Sequence, residues 1–488
     1  MLAFASSLGA WNQIERVERI VKHHGLAFPL AVVEAIGRPY GLRMVAEEER
    51  RPSGVDAIMI SVLDSRLMME TSKHFRAWKI PMRRQQRGPN HPWVIAGGQG
   101  LHNPMPYYDI ADVIVVGDAE EPLPAILGAW ERHHRTPGFL AECSTIPGVL
   151  VPAYHVPGEA TIVQSVSQDI GITLRADVRV NLTSLRRIEI ARNCRHKCLF
   201  CGLGWRAPLR ENSTDAIISA IKMSPRQLHL QAGDAESHSG ITAIRAALRE
   251  RAAVDNGWTG RLDSIEGDEP IVANKRYAFG VEGMTERVRR AIGKGYLTDE
   301  RLIDSTLSIM DRTEGDGKGR LAWHMIAGLP GQTADDPIAF MRVLIELDYR
   351  RRGKIARNLS LHWQPFQPLP GTPMQWCSCG GGARRLAATI RGVEDLSWVC
   401  IRQHAGRTDD VAKVCTVLAR SDRRGVDLLE ALGERRVTPD VAAEIAGVGY
   451  GELDPDAPLP WDWIAHAYSR RTLRKAYDVM MNRLKGDE

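Results

Sequence analysis

Between residues 55 and 130 the chain alternates short continuous apolar runs with stretches of helical spacing. The runs at 57–62, 93–98 and 113–118 read as strands buried on both faces. The stretches at 67–78 and 120–130 read as the helices around them. Strand and helix at this interval predict a doubly wound α/β domain, whose ligands lie beyond the carboxyl ends of the strands. Gly97, Gly98 and Gly117 fall at those ends, where a missing side chain lets a large flat ligand approach the backbone. Asp64, Ser65 and Arg66 follow the first of these strands. They read equally well as ligand-facing groups or as a solvated turn.

The rest of the chain is patterned less evenly. Residues 1–50 carry helical spacing at 11–21 and an apolar run at 30–35 that fits a strand or a short helix. Residues 131–185 read as a connector with short strands near 146–152 and 172–174, punctuated by Pro147-Gly148 and Pro157-Gly158. From 186 the alternation resumes. Strands are predicted at 187–191, 227–232, 261–265, 277–281, 321–327 and 358–364, with helices at 215–223, 242–253, 285–292, 300–310 and 337–347. Ser213 and Thr214 are candidate caps. Six such strands predict a parallel barrel with its chemistry at their carboxyl ends. Beyond 376 the pattern is helical, at 383–394, 428–432, 441–446 and 472–484. No internal repeat or low-complexity tract appears.

The first predicted barrel strand runs directly into Cys194-Arg195-His196-Lys197-Cys198-Leu199-Phe200-Cys201. Three cysteines at spacings of four and three can offer three thiolates to one iron–sulfur cluster, a group usually held by four. Three leave one iron open for chemistry. Buried thiols, or a zinc site short of its fourth ligand with His196 nearby, are the competing readings. Random placement of eight cysteines gives this spacing in roughly two sequences per thousand. Cys377, Cys379, Cys400 and Cys415 fit either free thiols or a second metal site, and their spacing forms no tight metal motif.

Composition narrows the class. At 488 residues, 44% hydrophobic and 25% charged, the chain is long enough for two or three globular domains. A net charge of +5 gives no indication of nucleic-acid binding. No apolar window is long enough to span a membrane, and the first residues lack a basic leader. Cysteine usage fits a reducing, cytoplasmic setting.

The Cys-x3-Cys-x2-Cys motif with Phe200 before the last cysteine resembles the radical S-adenosylmethionine (SAM) family. Ala96-Gly97-Gly98 and the segment from Ala111 to Glu120 are similar to the N-terminal domain of its cobalamin-binding members, although the Asp-x-His-x-x-Gly motif is absent. Phe279-Gly280-Val281-Glu282-Gly283 resembles the family's Gly-Ile-Glu-Ser-Gly. The segments His324 to Gly331 and Gln364 to Trp376 resemble its later strand ends, and Leu418 to Arg424 resembles the segment after its barrel.

The resemblance implies an α/β architecture in four parts. These are a Rossmann-like cobalamin-binding-type domain (1–145), a connector (146–185), a (β/α)6 partial-barrel core (186–376) and a helical C-terminal domain (377–488). It implies a [4Fe-4S] cluster on Cys194, Cys198 and Cys201, with SAM on the open iron. Phe200 and Gly328 then lie by the adenine, Gly233, Asp234 and Glu236 near the amino group, Glu282 at the ribose and Arg287 at the carboxylate. As a surface helix arginine, Arg287 has an equally good alternative. Cobalamin would meet Gly97, Gly98, Gly117, Asp64 and Arg66.

The implied activity is cobalamin-dependent C-methylation of an unactivated or weakly nucleophilic carbon in a metabolite, natural product or peptide. A low-potential flavodoxin or ferredoxin would supply electrons. The alternatives are a cobalamin-independent radical SAM enzyme, of methylthiotransferase-like, rearrangement or cyclisation type, and a non-catalytic cluster or corrin sensor. Trp205, Trp363 and Trp376 fit either a substrate pocket or core packing.

Overall fold

The computed structural model describes residues 2–6, 32–33, 35–44, 55–62, 64–171, 186–255, 261–262, 276–313, 320–351, 359–392, 399–403 and 408–486. They form two compact units. The first comprises Met1–Glu189, Val414–Tyr450 and Asp456–Arg470. The second comprises Ile190–Lys413, Gly451–Pro455 and Arg471–Glu488.

The first unit is built on a six-stranded sheet of β1 (Leu2–Ser6), β2 (Arg43–Met44), β3 (Ala57–Ser61), β4 (Trp93–Gly97), β5 (Val113–Val115) and β6 (Val149–Leu150), in the order β2-β1-β3-β4-β5-β6. The first five are parallel and β6 is antiparallel to β5. The continuous apolar runs are explained by burial of both faces. Ile58, Ile60, Val94, Ala96 and Ile114 enter one core with Met68 and Phe75. Ala57, Met59, Ile95, Val113 and Val115 enter the other with Ile126 and Trp130. Strand β1, second from the edge, falls where the sequence pattern was weakest, and β6 extends the sheet past the expected boundary at 145. Residues 32–33 and 35–37 are helical, while the expected elements at 11–21 and 172–174 lie outside the described residues.

Among the described residues, 377–488 divide between the two units and do not form a unit of their own. The physical reason is that these helices have no core of their own. Val426, Leu428 and Leu429 pack into the core of the first sheet. Arg83 pairs with Asp427 and Glu430, and Arg423 grips Asp109 through two hydrogen bonds of 2.9 and 2.6 Å. In the second unit, Tyr477 of the last helix packs edge-on against Trp376.

The second unit contains a four-stranded parallel sheet of Arg276–Glu282, Arg320–Ala327, Leu359–Pro365 and Cys400–Gln403, in that order. Separately, Gln227–Gln231 pairs in parallel with Val254–Asp255. The strand expected at 261–265 is not one at Arg261 and Leu262, and 263–265 lie outside the described residues. The strand at 400–403 was not anticipated. On the four-stranded sheet Phe279, Val281, Leu321, Trp323, Met325, Leu359, Leu361 and Trp363 face the helices Asp299–Thr313, Asp336–Arg350 and Ala383–Arg391 and share their core. Strand alternation puts Gly280, His324, His362 and Arg402 on the opposite face.

Candidate active site

The cysteine loop is fixed at both ends by local chemistry. Ala191–Arg192 and Arg210–Glu211 pair in antiparallel fashion at its base. Between them the chain enters through Asn193, in the left-handed region at φ 66°, which asparagine tolerates because its side chain bonds locally. Asn193 Oδ1 accepts from Arg210 at 2.5 Å and its Nδ2 donates to Leu203 C=O at 3.3 Å. The loop then turns into the short helix Gly202–Trp205. Trp205 Nε1 donates to Cys198 C=O at 3.1 Å, so this buried tryptophan braces the loop. Leu199 N–H donates to Ile292 C=O at 3.0 Å, docking the loop on the segment after helix Glu286–Ala291.

Cys194, Cys198 and Cys201 are all free and partly exposed. Burial pushes the Cys194 thiol up to about 11; Cys201, Asp234 and Cys198 push in the same direction, and a backbone hydrogen bond opposes them. Burial also raises Cys198, against the pull of Lys294 and Arg261. Among the described residues no three His, Cys, Asp or Glu side chains are arranged around a single metal ion. A cluster makes a different demand, one thiolate to each of several irons.

Two strand ends converge on the loop. After Gln227–Gln231, Gly233 lies so close that a Cβ there would sit 3.3 Å from Cys194 Cβ. Next to it, Asp234 is buried, with Oδ2 2.7 Å from His196 Nε2. Its Oδ1 is buried without a hydrogen-bond partner among the described residues. Arg261 Nη1 lies 2.9 Å from His196 Nδ1, and its guanidinium stacks 3.4 Å over the Tyr296 ring.

At the other strand end a bulge shifts the register between Gly280 and Glu282, and Glu282 takes φ 65°. Its carboxylate turns back over Gly280, where a Cβ would collide with it and lie 2.8 Å from Lys294 Nζ. Lys294 donates to Gly280 C=O at 2.6 Å, lies 3.5 Å from Glu282 Oε1 and sits 5.8 Å over the Phe200 ring. Burial opposes the charge on Lys294, but Glu282, Cys198, Tyr296 and Cys201 outweigh it and hold the amine cationic. Burial raises Glu282, while Lys294 pulls it down.

The structure therefore brings Cys194, Cys198, Cys201, Phe200, Gly233, Asp234 and Glu282 together. Arg261 and Lys294 join them unanticipated, and His196, weighed in the sequence only as a zinc ligand, joins them as the partner of Asp234. Gly293, next to Lys294, takes φ 88°, and its backbone lies against Lys197 and Cys198. Other candidates are engaged elsewhere. Glu236 is paired with Arg245. Arg287 donates to Gly331 C=O at 2.5 Å and lies 3.6 Å from Asp336, half exposed. Gly328 ends its strand at φ 77° against Gly380 and Gly381, its N–H bonded to Gln332 Oε1 at 2.7 Å. Trp363 and Trp376 are core.

In the first unit, Asp64 caps helix Ser65–Ala77 by accepting from Leu67 N–H at 2.9 Å, and Arg66 lies 3.9 Å from it. Gly97 ends β4 with its missing side chain facing Val115 at 3.4 Å. Gly98 (φ 111°) lies against the Val62 backbone and Gly117 (φ 103°) against that of Ser165. Close backbone approach thus accounts for these two glycines without a ligand. Cys377 and Cys415 are buried, Cys379 is partly buried and Cys400 is exposed.

A family model described as radical SAM proteins, N-terminal, matches residues 27–152. The match supports placing the chain in the radical SAM family. The family implies an enzyme with a [4Fe-4S] cluster and SAM. No curated protein matches the chain. Among the described residues no helix is long and apolar enough to cross a membrane.

Proposed function

We propose that this chain is a radical SAM enzyme whose cluster is held by Cys194, Cys198 and Cys201. One observation carries the reading: three free thiols on a braced loop face a strand end where Asp234 Oδ1 is buried and unpartnered among the described residues. A buried acceptor without a donor is costly, and an ammonium group from a ligand would satisfy it. Asp234 then orients the SAM amino group, the two oxygens of Glu282 accept from the ribose, and Phe200 lies by the adenine. A [4Fe-4S] cluster held by Cys194, Cys198 and Cys201 would supply the electron for reductive cleavage of SAM. The residues of the chain orient the sulfonium and exclude water from it. A flavodoxin- or ferredoxin-type protein is the electron donor, and the substrate is a small molecule or peptide.

The finer reading, methyl transfer from cobalamin to an unactivated or weakly nucleophilic carbon, draws on the strand order of the first unit. The order β2-β1-β3-β4-β5 has its switch point beyond the ends of β1 and β3, where such sheets bind flat cofactors, and Asp64 and Arg66 follow β3. The backbone roles of Gly98 and Gly117 weaken it, and cobalamin-independent chemistry is the alternative.

The test is anaerobic reconstitution with iron and sulfide, followed by reduction with SAM and assay for 5′-deoxyadenosine. Wild type should form it, and Cys198→Ala should lose both iron and activity. A wild-type protein that binds iron but never cleaves SAM sinks the proposal. Protein produced with and without cobalamin, compared by absorbance, decides the finer reading.

A further inference from the structure

The helix Asp336–Arg350 buries an apolar face and exposes a second one. Phe340, Val343, Leu344 and Leu347 enter the core it shares with the four-stranded sheet. On the outer side Ile338, Ile345 and Tyr349 are 49%, 40% and 57% exposed, and Arg342, also exposed, stands among them. Intervals of four, three and four residues put all four in one stripe. Among the described residues no other helix exposes more than one large apolar side chain. The outer face of a surface helix is normally polar, and apolar side chains gathered there mark a contact surface.

The order of residues in the stripe points to what covers it. The stripe is spaced alike in both directions about a centre between Val343 and Leu344. Ile338 stands as far on one side as Tyr349 on the other, and Arg342 as far as Ile345. A two-fold interface needs such a self-complementary patch. The charges follow suit: Asp335 is exposed at the start of the helix, Arg350 is exposed at its end, and Arg342 and Glu346 flank the centre. We infer that the stripe docks on the same stripe of a second copy of this chain, with the two helices antiparallel. The contact is separate from the proposed activity and does not rest on it. Ile338 of each copy packs on Tyr349 of the other, and Ile345 packs on the aliphatic stem of Arg342. At a rise of about 1.5 Å per residue, Arg342 comes level with Glu346 of the other copy to within about 2 Å, and Arg350 with Asp335 to within about 3 Å. Within one chain Glu346 and Asp304 hold Arg350 at 2.7 and 3.1 Å, in exposed pairs weak enough to be shared. Antiparallel helix dipoles add attraction. Four side chains a copy make a small interface, so the dimer forms reversibly and depends on concentration.

The test is analytical ultracentrifugation of the full-length protein from about 1 to 200 μM. Reductant keeps the exposed Cys400 from cross-linking copies. The mass should rise with concentration from one chain toward two. Ile345→Asp should weaken association about thirtyfold or more while leaving the thermal melt unchanged, since the side chain is exposed. Arg342→Glu and Glu346→Arg should each weaken self-association, because each sets like charges against one another across the axis. An equimolar mixture of the two variants should associate again. Only contact between copies gives that rescue, since a change acting within one chain persists in the mixture. Met223→Asp, exposed on helix Thr214–Met223, should leave association unchanged. The inference is overturned if wild type stays at the mass of one chain throughout, which would hand the stripe to a different partner. It is equally overturned if Ile345→Asp associates as wild type does, or if the mixture fails to associate.

Discussion

His196 Nε2 lies 2.7 Å from Asp234 Oδ2, a bond that joins the middle of the cysteine loop to the strand end facing it. Arg261 donates to His196 Nδ1 at 2.9 Å, which makes Nε2 the protonated nitrogen and the donor to Asp234. The imidazole holds one carboxylate oxygen and leaves the other, Oδ1, for a ligand. His196→Ala should leave a buried carboxylate unheld, destabilising the fold by about 1–3 kcal/mol and weakening SAM binding about tenfold. His196→Gln retains a donor and should recover part of both. Urea melts and SAM titrations read the two effects, and unchanged SAM affinity in His196→Ala would remove His196 from the site.

Glu282 and Lys294 form a second buried pair, 3.5 Å apart. Removing one partner of such a pair leaves an uncompensated buried charge. Lys294→Met should cost about 3–5 kcal/mol, and Lys294→Met with Glu282→Gln should recover most of it, because the double variant buries no net charge. Denaturant melts of the singles and the double would close the cycle. A double variant no more stable than Lys294→Met alone would mean that Lys294 acts by its hydrogen bond to Gly280 and not by its charge.

Legibility followed how locally each feature is encoded. The buried strands at 57–61 and 93–97 were readable because burial on both faces writes a nearly continuous apolar run into the sequence. Strand Leu2–Ser6 was not, since five residues ahead of unpatterned chain carry no period. The cysteines stood out by their spacing, whereas Asp234 and Glu282 were suggested only by the resemblance of their strand ends to the family's. His196 was noticed only as a tempting metal ligand, and Lys294 not at all, because their partners lie 38 and 12 residues away and only folding makes the pairs. The C-terminal helices were recognised as helices but assigned to a domain of their own. Amphipathic periodicity shows that a face is buried and says nothing of which core receives it.

Gly98 offers a test that separates backbone need from ligand need. Its φ of 111° and its approach to the Val62 backbone exclude a side chain whatever the first unit binds. Gly98→Ala should lower stability by about 1–3 kcal/mol in protein prepared without cobalamin. Thermal melts of Gly98→Ala against wild type decide it. A Gly98→Ala variant as stable as wild type, yet altered in corrin absorbance, would return this glycine to a cofactor-contact role.

His74 makes the first unit sensitive to acid. It is buried on helix Ser65–Ala77, and burial, with a smaller contribution from Lys73, lowers its pKa from 6.5 to about 4. In the unfolded chain the imidazole takes up its proton near pH 6.5, while in the folded chain it stays neutral down to about pH 4. Between those values the unfolded state binds more protons, so stability falls as pH falls, and above them His74 contributes no slope. Acidification from pH 7 to pH 5 should remove about 2 kcal/mol through this residue. His155, also lowered by burial, adds loss of the same sign. Urea melts at the two pH values should show a smaller loss in His74→Gln than in wild type. An equal loss in both would place the acid sensitivity elsewhere.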